Sequence, residues 1–116
     1  KEKGTLCFAA KAGRNSALKK ADGEKIGVSS VDAILEGQPV SYIKMDVEGA
    51  EKEALEGAAF TLSAYHPKLN IALYHRNEDL FAIPLQIQKI TKKYSFYLRH
   101  HPYVPAWEVN LYAVPK

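Results

Sequence analysis

Tyr42-Ile-Lys-Met-Asp-Val-Glu-Gly-Ala-Glu51 decides the fold, because three carboxylates crowd the point where a short apolar strand gives way to a helix. Upstream, Val40, Tyr42, Ile43 and Met45 form an apolar run bounded by Gly37 and Pro39, the pattern of a strand buried on both faces. Downstream, Ala50, Ala54, Leu55, Ala58, Ala59 and Leu62 recur at helical spacing, which predicts one helix ending near Tyr65 with Pro67 as its breaker. Asp46 and Glu48 therefore stand where open α/β sheets gather their chemistry, at the carboxyl end of a strand. Glu51 and Glu53 read differently. Exposed N–H groups and the helix dipole favour acids in a first turn by roughly 0.3–1 kcal/mol each, with no function required.

Outward from this junction the chain alternates strand and helix signals. Residues 5–10 and 16–19 have strand character, with turns around Gly13 and at residues 21–24, so residues 1–30 read as an antiparallel β-hairpin or meander. Ser30 is placed to cap a helix from Val31 to Leu35 that Gly37 stops. Beyond Pro67, residues 68–75 form a second apolar run that finishes in His75. Residues 78–93 then predict a helix anchored by Leu80, Phe81, Leu85, Ile87 and Ile90, its first turns disturbed by Pro84. Two strands, residues 94–99 and 108–114, close the chain; the link between them is too short for a helical crossover, so they pair antiparallel. Tyr94, Phe96, Tyr97, Tyr103 and Trp107 are expected to serve mainly in core and strand-pair packing. The order matches the second half of an open α/β sheet.

At 116 residues the chain suits one domain with a modest core, and a net charge of +3 spread along it gives no nucleic-acid footprint. The basic cluster at residues 89–93 reads as the solvated end of a helix. No apolar run approaches the roughly 20 residues that cross a bilayer, so no membrane partner is expected. The single cysteine, Cys7, excludes an internal disulfide framework and suits a reducing, cytoplasmic setting. The glycines at 4, 13, 23, 27, 37, 49 and 57 form neither G-x-G-x-x-G nor a phosphate loop.

Ile43-Lys-Met-Asp-Val-Glu-Gly-Ala-Glu51, followed by Ala54-Leu-Glu-Gly57, resembles the FkbM family of S-adenosylmethionine-dependent methyltransferases. Val31-Asp32 upstream, residues 74–84 and 94–101, and Leu111-Tyr-Ala113 resemble further segments of that family, so the likeness covers nearly the whole chain. It implies a Rossmann-like class I methyltransferase sheet, represented by its C-terminal portion. The 1–116 chain is then a single partial methyltransferase domain, with the β-meander at 1–30 and an α/β core at 31–116. The family's acidic, glycine-rich first strand-loop and the ribose-binding acid of its second strand are not matched. S-adenosylmethionine is thus the cofactor the resemblance implies for the intact domain, with Asp46 the one residue here that could touch it. Weak or no binding of that cofactor is expected of this chain alone.

The reaction so implied is O-methylation of a small molecule or glycan, and it needs a group to accept or orient the acceptor's hydroxyl proton. Asp46 and His75 end neighbouring expected strands and face one crevice, so either can act as base or orienter, with Glu48 lining the acceptor side. Lys44 shares a strand face with Asp46 and is within reach of pairing with it. Asp46, Glu48 and His75 are also metal-ligand types, but their spacing is not diagnostic and no metal is expected. Two other classes fit parts of the pattern. Lys44, Asp46 and Glu48 suit a metal-dependent nuclease or phosphohydrolase, and the lack of a glycine loop suits a non-catalytic interaction module. A half-sheet also leaves an apolar edge open, which favours a homodimer.

Overall fold

The computed structural model describes residues 4–9, 17–19, 24–101 and 108–116, with side chains from residue 29 onward among them. The expected turns at 11–16 and 21–23, the Cys7 side chain, Tyr103 and Trp107 lie outside the described residues. Three antiparallel strands come first: β1 (Gly4–Ala9), β2 (Ala17–Lys19) and β3 (Glu24–Val28). Their order is β2-β1-β3, so β3 returns to the far edge of β1 rather than continuing past β2 as in a meander. Length explains this: β1 offers β3 a ladder from Gly4↔Val28 to Phe8↔Glu24, whereas β2 is only three residues long.

The second sheet contains β4 (Tyr42–Met45), β5 (Lys68–Ala72), β6 (Tyr94–His100) and β7 (Val109–Pro115) in the order β4-β5-β7-β6. β4 and β5 are parallel, and β7 is antiparallel to both β5 and β6. Register places Ile43, Leu69, Ala113 and Phe96 in one row and Met45, Ile71 and Leu111 in the next. Leu55, Leu62, Ile83 and Ile87 from the helices join these rows in one core. The other face is open. Tyr42 and Tyr97 are 51% and 48% exposed, so β4 is buried on one face and not on both. Its apolar run resembles a doubly covered strand, but the described helices cover only one side.

The helix expected to run to Tyr65 is two: α2 (Glu51–Glu56) and α3 (Ala59–Tyr65) follow α1 (Val31–Leu35). The break lies where α1 docks. Asp32 N–H bonds the Gly57 carbonyl at 2.9 Å, and a Cβ on Gly57 would stand 2.9 Å from Ser30 Cβ, closer than side chains pack. Ser30 caps α1 through the Ala33 N–H, as its position foretold. Asp32 does more than begin that helix. Its carboxylate accepts from Phe60 N–H and Thr61 N–H, each at 2.9 Å, and from the Thr61 hydroxyl at 2.6 Å, capping α3 from a distant part of the chain.

Partial burial pushes the Asp32 carboxyl up, but the Thr61 and Phe60 hydrogen bonds outweigh it and hold the group below its ordinary value. Removing it in Asp32→Ala is expected to cost about 1–2 kcal/mol at neutral pH. A depressed folded pKa means the stabilisation is present above the ordinary Asp value near 4 and fades as pH falls through the depressed one. Urea denaturation at pH 7 and pH 3 should therefore find the gap between Asp32→Ala and the parent narrowing in acid. A gap that does not move with pH would remove the carboxylate's charge from the account.

The last helix, α4 (Asp79–Ile90), runs unbroken through Pro84. Asp79, Ile83 and Ile87 set its inward face at four-residue spacing. Phe81 and Leu85 fall two positions off that stripe and are 70% and 55% exposed, so they are not the anchors their apolar character suggests. Tyr94 ends inside the core, where its hydroxyl donates to the Pro67 carbonyl at 2.7 Å and burial pushes its pKa up to about 12.

Candidate functional site

Because β4 and β5 are parallel and paired through Met45↔Ile71, their carboxyl ends open side by side. The chain leaves β4 through Asp46 and Val47 and then turns sharply at Glu48 (φ 54°) and Gly49 (φ 93°) before α2 begins. Gly49 supplies a conformation that L side chains rarely adopt. Leaving β5, the Leu73 N–H still bonds the Val109 carbonyl at 2.9 Å, which holds the strand end down and releases Tyr74 and His75 over the same crevice.

All three residues singled out from sequence meet there. His75 Nε2 lies 3.5 Å from Asp46 Oδ1 and 3.5 Å from Glu48 Oε2. One ligand atom from each of Asp46, Glu48 and His75 falls within 4.8 Å of the others. The Tyr74 hydroxyl donates to Asp46 Oδ1 at 3.1 Å, and its ring packs 4.4 Å from the imidazole. Burial, then the charge and hydrogen bonding of Asp46, push the Tyr74 hydroxyl up to about 12, so near neutral pH it is a donor.

Glu51 begins α2 as expected, but its carboxylate turns into the core rather than serving the helix end alone. It is fully buried, and its Oε1 accepts the Val47 N–H at 3.1 Å and lies 2.8 Å from His75 Nδ1. With Nδ1 paired to Glu51, Nε2 is the ring atom turned toward Asp46 and Glu48. The signal for this lay in spacing: Glu51, Leu55, Ala58 and Leu62 follow one apolar stripe, and all four are buried. Tyr74 was missed as well, since an aromatic residue beside a strand end reads first as packing. Lys44 is exposed and forms no ion pair with Asp46. Lys52 instead lies 3.7 Å from both Glu78 and the buried Asp79, whose carboxyl burial pushes up.

Neighbouring parallel strands that deliver carboxylates and an imidazole to one crevice, in a sheet closed by an antiparallel strand, define a methyltransferase-like α/β fold. Residues 6–104 match the methyltransferase FkbM domain, and the chain belongs to that family. Among solved structures, the methyltransferase FkbM of Methylobacillus flagellatus KT is similar at 39% identity and a TM-score of 0.71 over 77% of this chain. The chain spans 23% of that protein's length. No curated protein matches it.

Proposed function

We propose that this chain supplies the acceptor side of a Rossmann-like, S-adenosylmethionine-dependent methyltransferase that acts on a hydroxyl oxygen of a small molecule or glycan. The observation that supports this reading is the meeting of Asp46, Glu48 and His75 over the ends of adjacent parallel strands, in a chain of the FkbM family. The cluster receives the hydroxyl and disposes of its proton, while Glu51 fixes the imidazole. A Cβ on Gly49 would stand 3.2 Å from Arg76 Nε, so the guanidinium lies over the turn after β4. No glycine follows β5 or β6 to build a phosphate cradle. The crevice residues are therefore assigned to the acceptor, with Asp46 the one residue here that could also touch the cofactor.

None of the helices among the described residues is long and apolar enough to cross a membrane. A reducing, cytoplasmic setting belongs to the same reading, on the ground of the lone Cys7. The test is transfer of a labelled methyl group from S-adenosylmethionine by the complete protein to a panel of hydroxyl-bearing small molecules and glycans. Label appearing only on nitrogen or carbon acceptors would reject the oxygen assignment.

The reading extends to self-association. Among the described residues β4 is paired on one side only, through β5, and Tyr42 is exposed beside that unpaired edge. Such an edge is a template for another strand. Sedimentation of the chain at rising concentration is expected to reveal dimers, and Tyr42→Lys is expected to weaken them. A monomer at every concentration would refute the edge pairing.

A further inference from the structure

Asp46 stands at the mouth of the crevice with little to hold it. It follows the last residue of β4, its side chain is 42% exposed, and among the described residues no backbone N–H bonds its carboxylate. Lys44 and Arg76 form no ion pair with it, although the Arg76 guanidinium lies over the nearby turn at Gly49. An exposed aspartate left to itself samples several staggered rotamers. A group that directs an acceptor hydroxyl has to hold one position, because the advantage of a bound geometry is lost when the reacting groups are misplaced.

One side chain supplies the missing restraint. The Tyr74 hydroxyl donates to Asp46 Oδ1 at 3.1 Å, whereas His75 Nε2 stands 3.5 Å from the same oxygen, beyond the roughly 2.7–3.2 Å of an N–H···O bond. The Tyr74 ring also packs against the imidazole, centroids 4.4 Å apart with the planes tilted at 48°. Tyr74 is itself well anchored, half-buried and next to the buried Leu73, whose N–H bonds the Val109 carbonyl. Packing alone would be met by a phenylalanine. The hydroxyl is directed instead to an exposed carboxylate, and with Oδ1 so engaged, Oδ2 has no hydrogen-bond partner among the described residues and is the oxygen left for a ligand.

We infer that Tyr74 is the positioning residue for Asp46, its hydroxyl fixing the carboxylate and its ring fixing the face of the neighbouring imidazole. The inference rests on the reading of the crevice as the acceptor site. Tyr74 takes no proton in it; the hydroxyl acts through Asp46.

Two measurements test this, and the first needs no methyl transfer. Three-bond Hα–Hβ couplings of Asp46 in the 116-residue chain are expected to report one χ1 rotamer in the parent and rotamer averaging in Tyr74→Phe, with the denaturation midpoint unchanged. Averaged couplings in the parent, or a single rotamer that persists in Tyr74→Phe, overturn the positioning role. The second measures label transfer from S-adenosylmethionine by the complete protein to the hydroxyl panel, at a temperature where circular dichroism finds each variant folded. Tyr74→Phe should lower kcat about 10-fold and leave the KM for S-adenosylmethionine unchanged. In an Asp46→Asn background the same change should cost nothing further, since the carboxylate it positions is gone. Parental kcat in Tyr74→Phe beside a fall in Asp46→Asn overturns the inference and leaves the acceptor site standing, and so does an equal loss in both backgrounds. Parental kcat in Asp46→Asn instead rejects the acceptor reading, and the inference with it.

Discussion

Asp46→Asn and His75→Ala are each expected to lower methyl-transfer turnover of the complete protein by about 10²–10⁴-fold, the range for a lost group that accepts or directs a proton. The two differ in what they do to the fold. Asp46 is substantially exposed and its partners are the Tyr74 hydroxyl and the imidazole, so the amide should change stability by no more than about 0.5 kcal/mol. His75 is mostly buried and covers the Glu51 carboxylate, so its removal carries a larger folding cost. A steep fall in turnover at unchanged denaturation midpoint in Asp46→Asn would therefore separate chemistry from structure. Turnover unchanged in both variants would remove the crevice from the reaction.

Glu51→Ala is expected to be the most damaging single change to stability near the site, by about 3 kcal/mol. Truncation leaves the Val47 N–H and His75 Nδ1 without their shared acceptor and opens space in the core beneath them. Part of the loss is offset, because the buried Oε2, which has no hydrogen-bond partner, leaves too. Glu51→Gln divides the effect. An amide oxygen has two lone pairs and can meet both groups that Glu51 Oε1 meets, so much of the stability should return. It does not restore the carboxylate's support of the imidazole, so turnover should stay at least about 10-fold down. Chemical denaturation of both variants beside the parent measures the first effect. A Glu51→Ala protein as stable as the parent would show that the carboxylate contributes nothing to holding strand end and helix start together.

Much of the architecture was legible because its signals are local. The alternation of short apolar runs with helical spacing, the Ser30 cap and the short link between the last strands depend on neighbours within a turn or two of chain. Where local patterns misled, the deciding contact came from elsewhere. Gly57 lies within a stretch that spells one helix, yet α1 packs against it and Asp32 caps a second helix start at residues 60 and 61. Phe81 and Leu85 are apolar residues on a helix whose inward face Ile83 and Ile87 had already claimed. Tyr42 and Lys44 belong to a strand with helices on only one side.

The site divides in the same way. Asp46, Glu48 and His75 could be named from sequence because each follows an expected strand, and the ends of parallel strands open toward one crevice. Their roles could not be read there. That Glu51 turns inward to bind Nδ1, that Nε2 is thereby aimed at two carboxylates, and that the three form a group of metal-ligand size all depend on distances between segments 24 residues or more apart. By itself, the sequence determined the order of strands and helices, the family and the residues that reach the crevice, since periodicity and motif are properties of neighbours along a chain. Only the tertiary structure decided which carboxylate is buried, which ring nitrogen is presented and which buried oxygen has no hydrogen-bond partner, because burial and hydrogen-bond partnership are set by what the folded chain brings across space.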